Sequence, residues 1–292
     1  MTFKLELVHG PLGRPLGGLA WDGQAMLVSD ISGNTLLAFD PKSGATSVRR
    51  KFTNRINGIA FGADGALYGC QQGSRRVVRM PADGTMGLTT TRLHGLVHNH
   101  PNLIAVDKKG RIWFSDVYHP VPASGPQVFP PLEHQSVLRL EQGPRPGSHW
   151  HIERMTFDTA SPRGVALSPD EKTLYVSETN NEPGGARELR AYPILDDGTL
   201  GSFVVLHTFG ADGRGVHRGI EGMCVDGSGN IFACAGGKRS GPGPLVYVFA
   251  PSGAILETCP VPADQPANCA FGGGDLYVTT EGGHLFRGRS KK

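Results

Sequence analysis

Gly58-Ile-Ala-Phe-Gly-Ala-Asp-Gly-Ala-Leu-Tyr-Gly-Cys-Gln71 reads as one tight β-hairpin. An apolar quartet runs into an Asp-Gly turn, and a second apolar run ends on a polar residue. Asp64 suits the turn because its side chain accepts backbone N–H groups. Gly65 suits it because glycine takes a positive φ without steric cost. The phrase then recurs along the chain. The quartets are Gly18-Leu-Ala-Trp21, Gly58-Ile-Ala-Phe61, Leu103-Ile-Ala-Val106, Gly164-Val-Ala-Leu167, Gly222-Met-Cys-Val225 and Asn268-Cys-Ala-Phe271. The second runs are Met26 to Asp30, Leu67 to Gln71, Ile112 to Asp116, Leu174 to Glu178, Ile231 to Ala235 and Leu276 to Thr280.

Third strands follow, as in Thr35-Leu-Leu-Ala-Phe39, Arg76-Val-Val-Arg79 and Leu245-Val-Tyr-Val-Phe249. Fourth strands are predicted at Thr46 to Phe52, His151 to Thr156, Phe203 to Phe209 and Ala254 to Val261. No segment keeps a helical period. Four short antiparallel strands repeated six times predict an all-β, six-bladed β-propeller, because a lone blade cannot bury both of its faces. A β-sandwich has similar strand content but no reason for sixfold self-similarity. The last repeat supplies only three strands. The alternating segment Phe3 to Val8 is therefore expected to complete the sixth blade and close the ring.

Composition agrees with a single domain over residues 1–292. The 42 Gly and 22 Pro are scattered, as many turns require. Formal charge is only +3, from 29 basic and 26 acidic residues without long runs of either sign. No nucleic-acid or anionic-membrane footprint follows. The start alternates instead of carrying a signal peptide's apolar stretch, and no run is long enough to span a bilayer, so the expected location is cytoplasmic. The five cysteines, Cys70, Cys224, Cys234, Cys259 and Cys269, are mostly in apolar runs and contain no CxxC pair. Free buried thiols are expected, with Cys224 and Cys234 on neighbouring strands of one blade.

In a propeller the first strand of each blade lines the channel, and the second runs back beside it. The residues ahead of the quartets form one ring, Gly17, Asn57, Asn102, Arg163, Glu221 and Ala267, with Asn268 beside the last. The ends of the second strands form another: Asp30, Gln71, Asp116, Glu178, Ala235 and Thr280. Each residue alone suits a strand end. Together, convergent polar groups at a channel are the usual form of a small-molecule site. His94, His98 and His100 precede Asn102, and His217 precedes Glu221. The Pro-rich stretch from Val117 to Gln135 has the length of a lid.

Several of these motifs resemble one family. Gly58-Ile-Ala-Phe-Gly-Ala-Asp-Gly65 with Gln71-Gln-Gly-Ser-Arg-Arg-Val77, Pro101-Asn102 ahead of Gly110-Arg-Ile-Trp-Phe-Ser-Asp116, Ser168-Pro-Asp-Glu-Lys-Thr-Leu-Tyr175 and Asn268-Cys-Ala-Phe-Gly-Gly273 are similar to blades of bacterial gluconolactonases. These belong to the senescence marker protein/gluconolactonase/luciferin-regenerating enzyme-like family. The resemblance implies six blades and a lactonase holding a divalent cation (Ca2+, Mg2+ or Zn2+) at the channel mouth, through a Glu of the first blade, an Asn of the fourth and an Asp of the fifth. It also implies a substrate-contacting Asn in the third blade. Here those positions carry Gly17, Arg163, Glu221 and Asn102. Arg offers only donors and keeps its charge. The expectation is that no divalent ion sits on Gly17, Arg163 and Glu221, and that no cofactor is needed.

The reading is a hydrolase of a small lactone or related ester. Arg163 would bind the carbonyl or developing oxyanion, with Glu221, His100 or His217 as the other catalytic groups. Asn57, Asn102, Asp116 and Asn268 would bind the substrate. A metal-independent lyase or isomerase of a small anionic substrate remains open, as does a non-catalytic binding propeller. The sequence leaves oligomeric state unread.

Overall fold

The computed structural model describes residues 3–120, 123, 129–145, 147–182 and 184–289. Six four-stranded antiparallel sheets form, each in simple up-and-down order except for the last. Blade 1 is Leu16–Trp21, Met26–Asp30, Thr35–Phe39 and Thr46–Lys51. Blade 2 is Ile56–Phe61, Leu67–Gln71, Arg76–Met80 and the two-residue Gly87–Leu88. Blade 3 is His100–Val106, Ile112–Val117, Ser136–Gln142 and Trp150–Arg154. Blade 4 is Pro162–Leu167, Thr173–Thr179, Arg187–Pro193 and Val204–Thr208. Blade 5 is Gly222–Val225, Ile231–Ala235, Leu245–Phe249 and Ile255–Pro260. Blade 6 is Pro266–Gly272, Asp275–Thr280 and Leu285–Arg289, with the N-terminal Lys4–His9 as its outermost strand. The first strands of successive blades pack on one another around the ring, and the sixth returns to the first. All six quartets lie on these innermost strands.

The closure runs in the expected direction. Lys4 pairs with Arg289, Glu6 with Arg287 and Leu7 with Phe286. Alternation then sends Phe3 and Leu5 inward against Phe232, Cys259 and Phe286, while Lys4 and Glu6 face out. Burying each of those two apolar side chains contributes about 1.5–3 kcal/mol. Pairing also covers what would otherwise be an exposed sheet edge.

The core follows the same logic. Six apolar clusters form among the described residues, and each one lies at the seam between two neighbouring blades. Trp113, Val137 and Leu103 of blade 3 meet Val176, Leu174 and Tyr192 of blade 4 in one such seam. A blade is thus apolar on both faces, which explains why its strands read as short apolar runs and not as strict alternation. The hairpin turns behave as their residues suggest. Gly65, Gly110 and Gly229 take φ of 73°, 80° and 86°. Asp64, Asp107 and Asp226 accept N–H groups from the residues just after them. All five cysteines are free thiols. Cys224 lies 3.6 Å from Cys269, across the seam between blades 5 and 6. No helix of the described residues is long and apolar enough to cross a membrane.

Candidate functional site

Five of the six innermost strands start two or three residues ahead of their quartets, because they continue through a β-bulge at the channel mouth. In blade 1, Leu16 pairs with Asp30 and Leu19 with Val28, so Gly17 and Gly18 face Ser29 alone. The same shift falls at Asn57-Gly58, at Asn102-Leu103 and at Arg163-Gly164. In blade 6 Ala267 is the extra residue. In blade 5 the strand begins only at Gly222 and has no bulge, and Glu221 just ahead of it ties in through its N–H to the Cys234 carbonyl at 3.0 Å. A bulge bends the strand and re-aims the side chain within it. Here it aims one residue per blade at the mouth.

Hydroxyls of the second strands fix these bulges from the neighbouring blade. Ser29 Oγ donates to the Asn57 carbonyl at 2.6 Å, Ser115 Oγ to that of Arg163 at 2.6 Å, and Thr279 Oγ1 to that of Gly17 at 2.8 Å. Ser29, Ser115 and Thr279, next to the ends of their second strands, are therefore one blade's grip on the next, and Thr179 Oγ1 does the same for blade 5 by donating to the Ile220 carbonyl at 2.6 Å. Close packing also demands glycine. A Cβ on Gly18 would lie 2.5 Å from the Asn57 carbonyl oxygen, and one on Gly17 2.2 Å from Asn57 Oδ1.

The second ring does not line the mouth. Asp30 is held by Arg14 at 2.8 and 2.7 Å and by the Gly33 N–H. Gln71 Nε2 donates to the Thr53 carbonyl. Glu178 accepts the Ala160 and Ser161 N–H groups. Asp116 differs from its expected place at the substrate. It is 1% exposed, with His98 Nδ1 2.9 Å from Oδ1 and the Asn99 N–H donating to Oδ2 at 2.6 Å. All four residues anchor the loops that enter the innermost strands. The physical reason is parity: successive strand residues point to opposite sides. In blades 1, 2 and 6 the next residue takes the inward place. Ile31 and Glu281 line a cavity of about 20 Å3 with Gly17, Asn57, Glu221 and Asn268. Gln72 touches Asn102 through Nε2 at 3.4 Å.

At the mouth the four polar residues ahead of the quartets meet in two pairs, Asn57 with Asn102 and Arg163 with Glu221. Asn57 Nδ2 donates to Asn102 Oδ1 at 2.6 Å. Asn102 is 3% exposed, and its Nδ2 has no partner among the described residues. Arg163 Nη1 stands 4.0 Å from Glu221 Oε1, and Arg218 Nη2 stands 3.7 Å from Glu221 Oε2. Both separations exceed a hydrogen bond, so the guanidinium of Arg163 keeps donors free. Arg218 is further anchored by donating to the Pro266 carbonyl at 2.9 Å. Asn268 bonds locally, accepting the Cys269 N–H at 2.8 Å.

The sequence reading missed Arg218 and Glu281. Glu281 is half-buried, and its backbone N–H donates to the Gln265 carbonyl. Burial, and then the facing carboxylate of Glu221, push its carboxyl above the ordinary range, against a pull downward from Arg218 and Arg163. Its polar position one residue past Leu276 to Thr280 was a visible signal.

The histidines separate. His98 is fully buried on Asp116. His100 packs beside His119, with ring centroids 5.6 Å apart. Burial, with His119 adding to it, takes the His100 imidazole down to about 4, so it is neutral at neutral pH. His217 lies 3.6 Å from Asp212 and packs under Gly241, on a small loop ribbon. Part of the proposed lid falls outside the described residues. Its described end is pinned, since Arg75 donates to the carbonyls of Phe129 and Pro130.

The positions at which the family resemblance implies cation ligands offer one carboxylate, Glu221, a residue without a side chain, Gly17, and a permanent cation, Arg163. Among the described residues no group of three His, Cys, Asp or Glu side chains is arranged to hold a metal. A divalent ion on Glu221 would face the Arg163 guanidinium, so this trio does not fit it.

Comparison with known proteins places this geometry. A gluconolactonase of Xanthomonas campestris has a structure with a TM-score of 0.79 to this chain at 31% identity, covering 98% of this chain and 89% of that one. A gluconolactonase of Zymomonas mobilis is 25% identical over 282 residues, 90% of this chain and 75% of the relative. The calcium-binding protein regucalcin of Agrobacterium tumefaciens shares the fold, with a TM-score of 0.73 at 17% identity, covering all of this chain (100%) and 96% of the other. The model of the SMP-30/Gluconolactonase/LRE-like region matches residues 17–282, which is nearly the whole ring, and the chain belongs to that family.

Proposed function

We propose that this propeller is a hydrolase of small lactones or related esters, acting at the channel mouth without the divalent cation of its family. The observation that carries the reading is Arg163. A guanidinium replaces a cation ligand and stands 4.0 Å from Glu221, too far to be closed off by it. Relatives named as gluconolactonases supply the reaction class.

In this reading Arg163 N–H groups hold the lactone carbonyl and then the oxyanion that forms on it, in place of a Lewis acid. Glu221, between Arg163 and Arg218, orients the fork. Asn57 and Asn102 meet substrate hydroxyls. The unpartnered Nδ2 of Asn102 gains a hydrogen bond when substrate arrives, since a buried donor left unmade is costly. A mouth carboxylate takes the proton of the attacking water. The substrate is a small polar molecule, suited to a ring of amide, carboxylate and guanidinium groups.

The test is a panel of five- and six-membered sugar lactones and simple esters, assayed with and without a chelator. Hydrolysis of a sugar lactone at the same rate under both conditions is expected. Turnover of no lactone or ester by folded protein would overturn the reading.

A further inference from the structure

We propose that Glu281 is the proton-transferring residue of the channel mouth: its carboxylate takes a proton from the attacking water and returns it to the ring oxygen that leaves. The assignment rests on the lactone-hydrolase reading above.

Three observations place it. Glu281 lines the same small cavity as Glu221, Gly17, Asn57 and Asn268. Blade 6 neighbours blade 1, whose Gly17 and Ile31 line this cavity without a polar side chain, so the loop after Thr280 supplies the carboxylate on that side. The backbone of that loop is fixed, since the Glu281 N–H donates to Gln265 and the Gly283 N–H to Thr280. The two mouth carboxylates then differ in their partners. Glu221 has a guanidinium near each oxygen, at 4.0 and 3.7 Å. Among the described residues no donor bonds the Glu281 carboxylate and no cation lies within ion-pair distance of it. The charged groups facing it are Glu221, Arg218 and Arg163, and burial with the Glu221 charge raises its carboxyl above the ordinary range. A raised carboxyl is a stronger base toward the attacking water.

The steps balance. Glu281 accepts a proton as the water oxygen bonds to the carbonyl carbon, and the carbonyl π electrons move to the oxygen held by Arg163. Collapse breaks the bond to the ring oxygen, which takes the proton from Glu281. The product is the open hydroxy acid, and the carboxylate is restored.

The experiment compares wild type, Glu281→Gln, Glu281→Asp and Glu221→Gln on a lactone that wild type hydrolyses, across pH, with circular dichroism melts as a check of folding. Wild-type kcat/KM should rise with pH through an apparent pKa above the ordinary carboxylate range. Glu281→Gln should lose that limb and lower kcat by about 10^2–10^4-fold with KM little changed, the size of a lost general base. Glu281→Asp should recover part of kcat. Glu221→Gln should keep the limb but move it to lower pH, because the like charge is gone. A folded Glu281→Gln that keeps the limb, or whose kcat stays within about tenfold of wild type, overturns the assignment while the lactonase reading stands. Wild type inactive on every lactone overturns both.

Discussion

Replacing Arg163 by Lys keeps a positive charge and removes the planar fork that can grip a carbonyl oxygen or carboxylate with two donors. Two costs follow, and they differ in size. The pair with Glu221 spans 4.0 Å between side chains that are 31% and 23% exposed. Such a pair contributes about 0–1 kcal/mol to folding, or at most about 2–4 °C in melting temperature for a domain of this size. The bulge itself does not depend on the side chain, since Ser115 Oγ holds the Arg163 carbonyl. Loss of an oxyanion donor costs about 2.7–4 kcal/mol, or 10^2–10^3-fold in kcat. Activity should therefore collapse while the fold survives. The assay is steady-state hydrolysis of a lactone turned over by wild type, alongside thermal melts. Arg163→Lys should lose about 10^2–10^3-fold in kcat/KM, and Arg163→Ala at least as much. If both variants hydrolyse near the wild-type rate, Arg163 is structural and its replacement of the cation fails as an idea.

Further outcomes test the scaffold. Leu5→Ala should destabilise by about 2–5 kcal/mol in urea unfolding, because Leu5 lies in the seam closed by the N-terminal strand; an unchanged midpoint would mean that this strand does not hold the ring shut. Gly18→Ala should cost about 1–3 kcal/mol, since its Cβ would meet the Asn57 carbonyl oxygen and Ile59 nitrogen at 2.5 and 2.7 Å, both backbone atoms; a wild-type unfolding midpoint would refute that contact. Folding holds His100 neutral down to about 4, so between there and its ordinary value near 6.5 the unfolded chain binds more protons. Its contribution to stability is present above that ordinary value and is lost as pH falls toward 4. His100→Gln should flatten this part of the stability–pH curve, and an unaltered curve would count against the buried neutral imidazole.

The six quartets made the ring legible in advance, because each is followed within a few residues by a turn and a second short apolar run. The closing strand was legible too, since Phe3 to Val8 alternates and the sixth repeat lacked a strand. Asn57, Asn102, Arg163 and Glu221 were readable as one ring from their shared place ahead of the quartets. Parity at the other rim was not readable. Asp30, Gln71, Asp116 and Glu178 end their strands and turn to the entering loops, while Glu281, one residue farther along, turns to the mouth. Only the bulges fix which residue points which way, and a bulge is a register event between strands without a composition of its own. Cys224 likewise finds Cys269 across a seam, a neighbour that spacing within one blade does not reveal.

In the proposed function a guanidinium, Arg163, does the work where the family places a cation. This is tested most directly by removing all metal from the protein with a chelator, verifying the loss by mass spectrometry, and measuring lactone hydrolysis before and after single additions of Ca2+, Mg2+ and Zn2+. The account predicts the same kcat in the metal-free protein and no response to any ion. Loss of activity on chelation, restored by one equivalent of a divalent ion per chain, would contradict it.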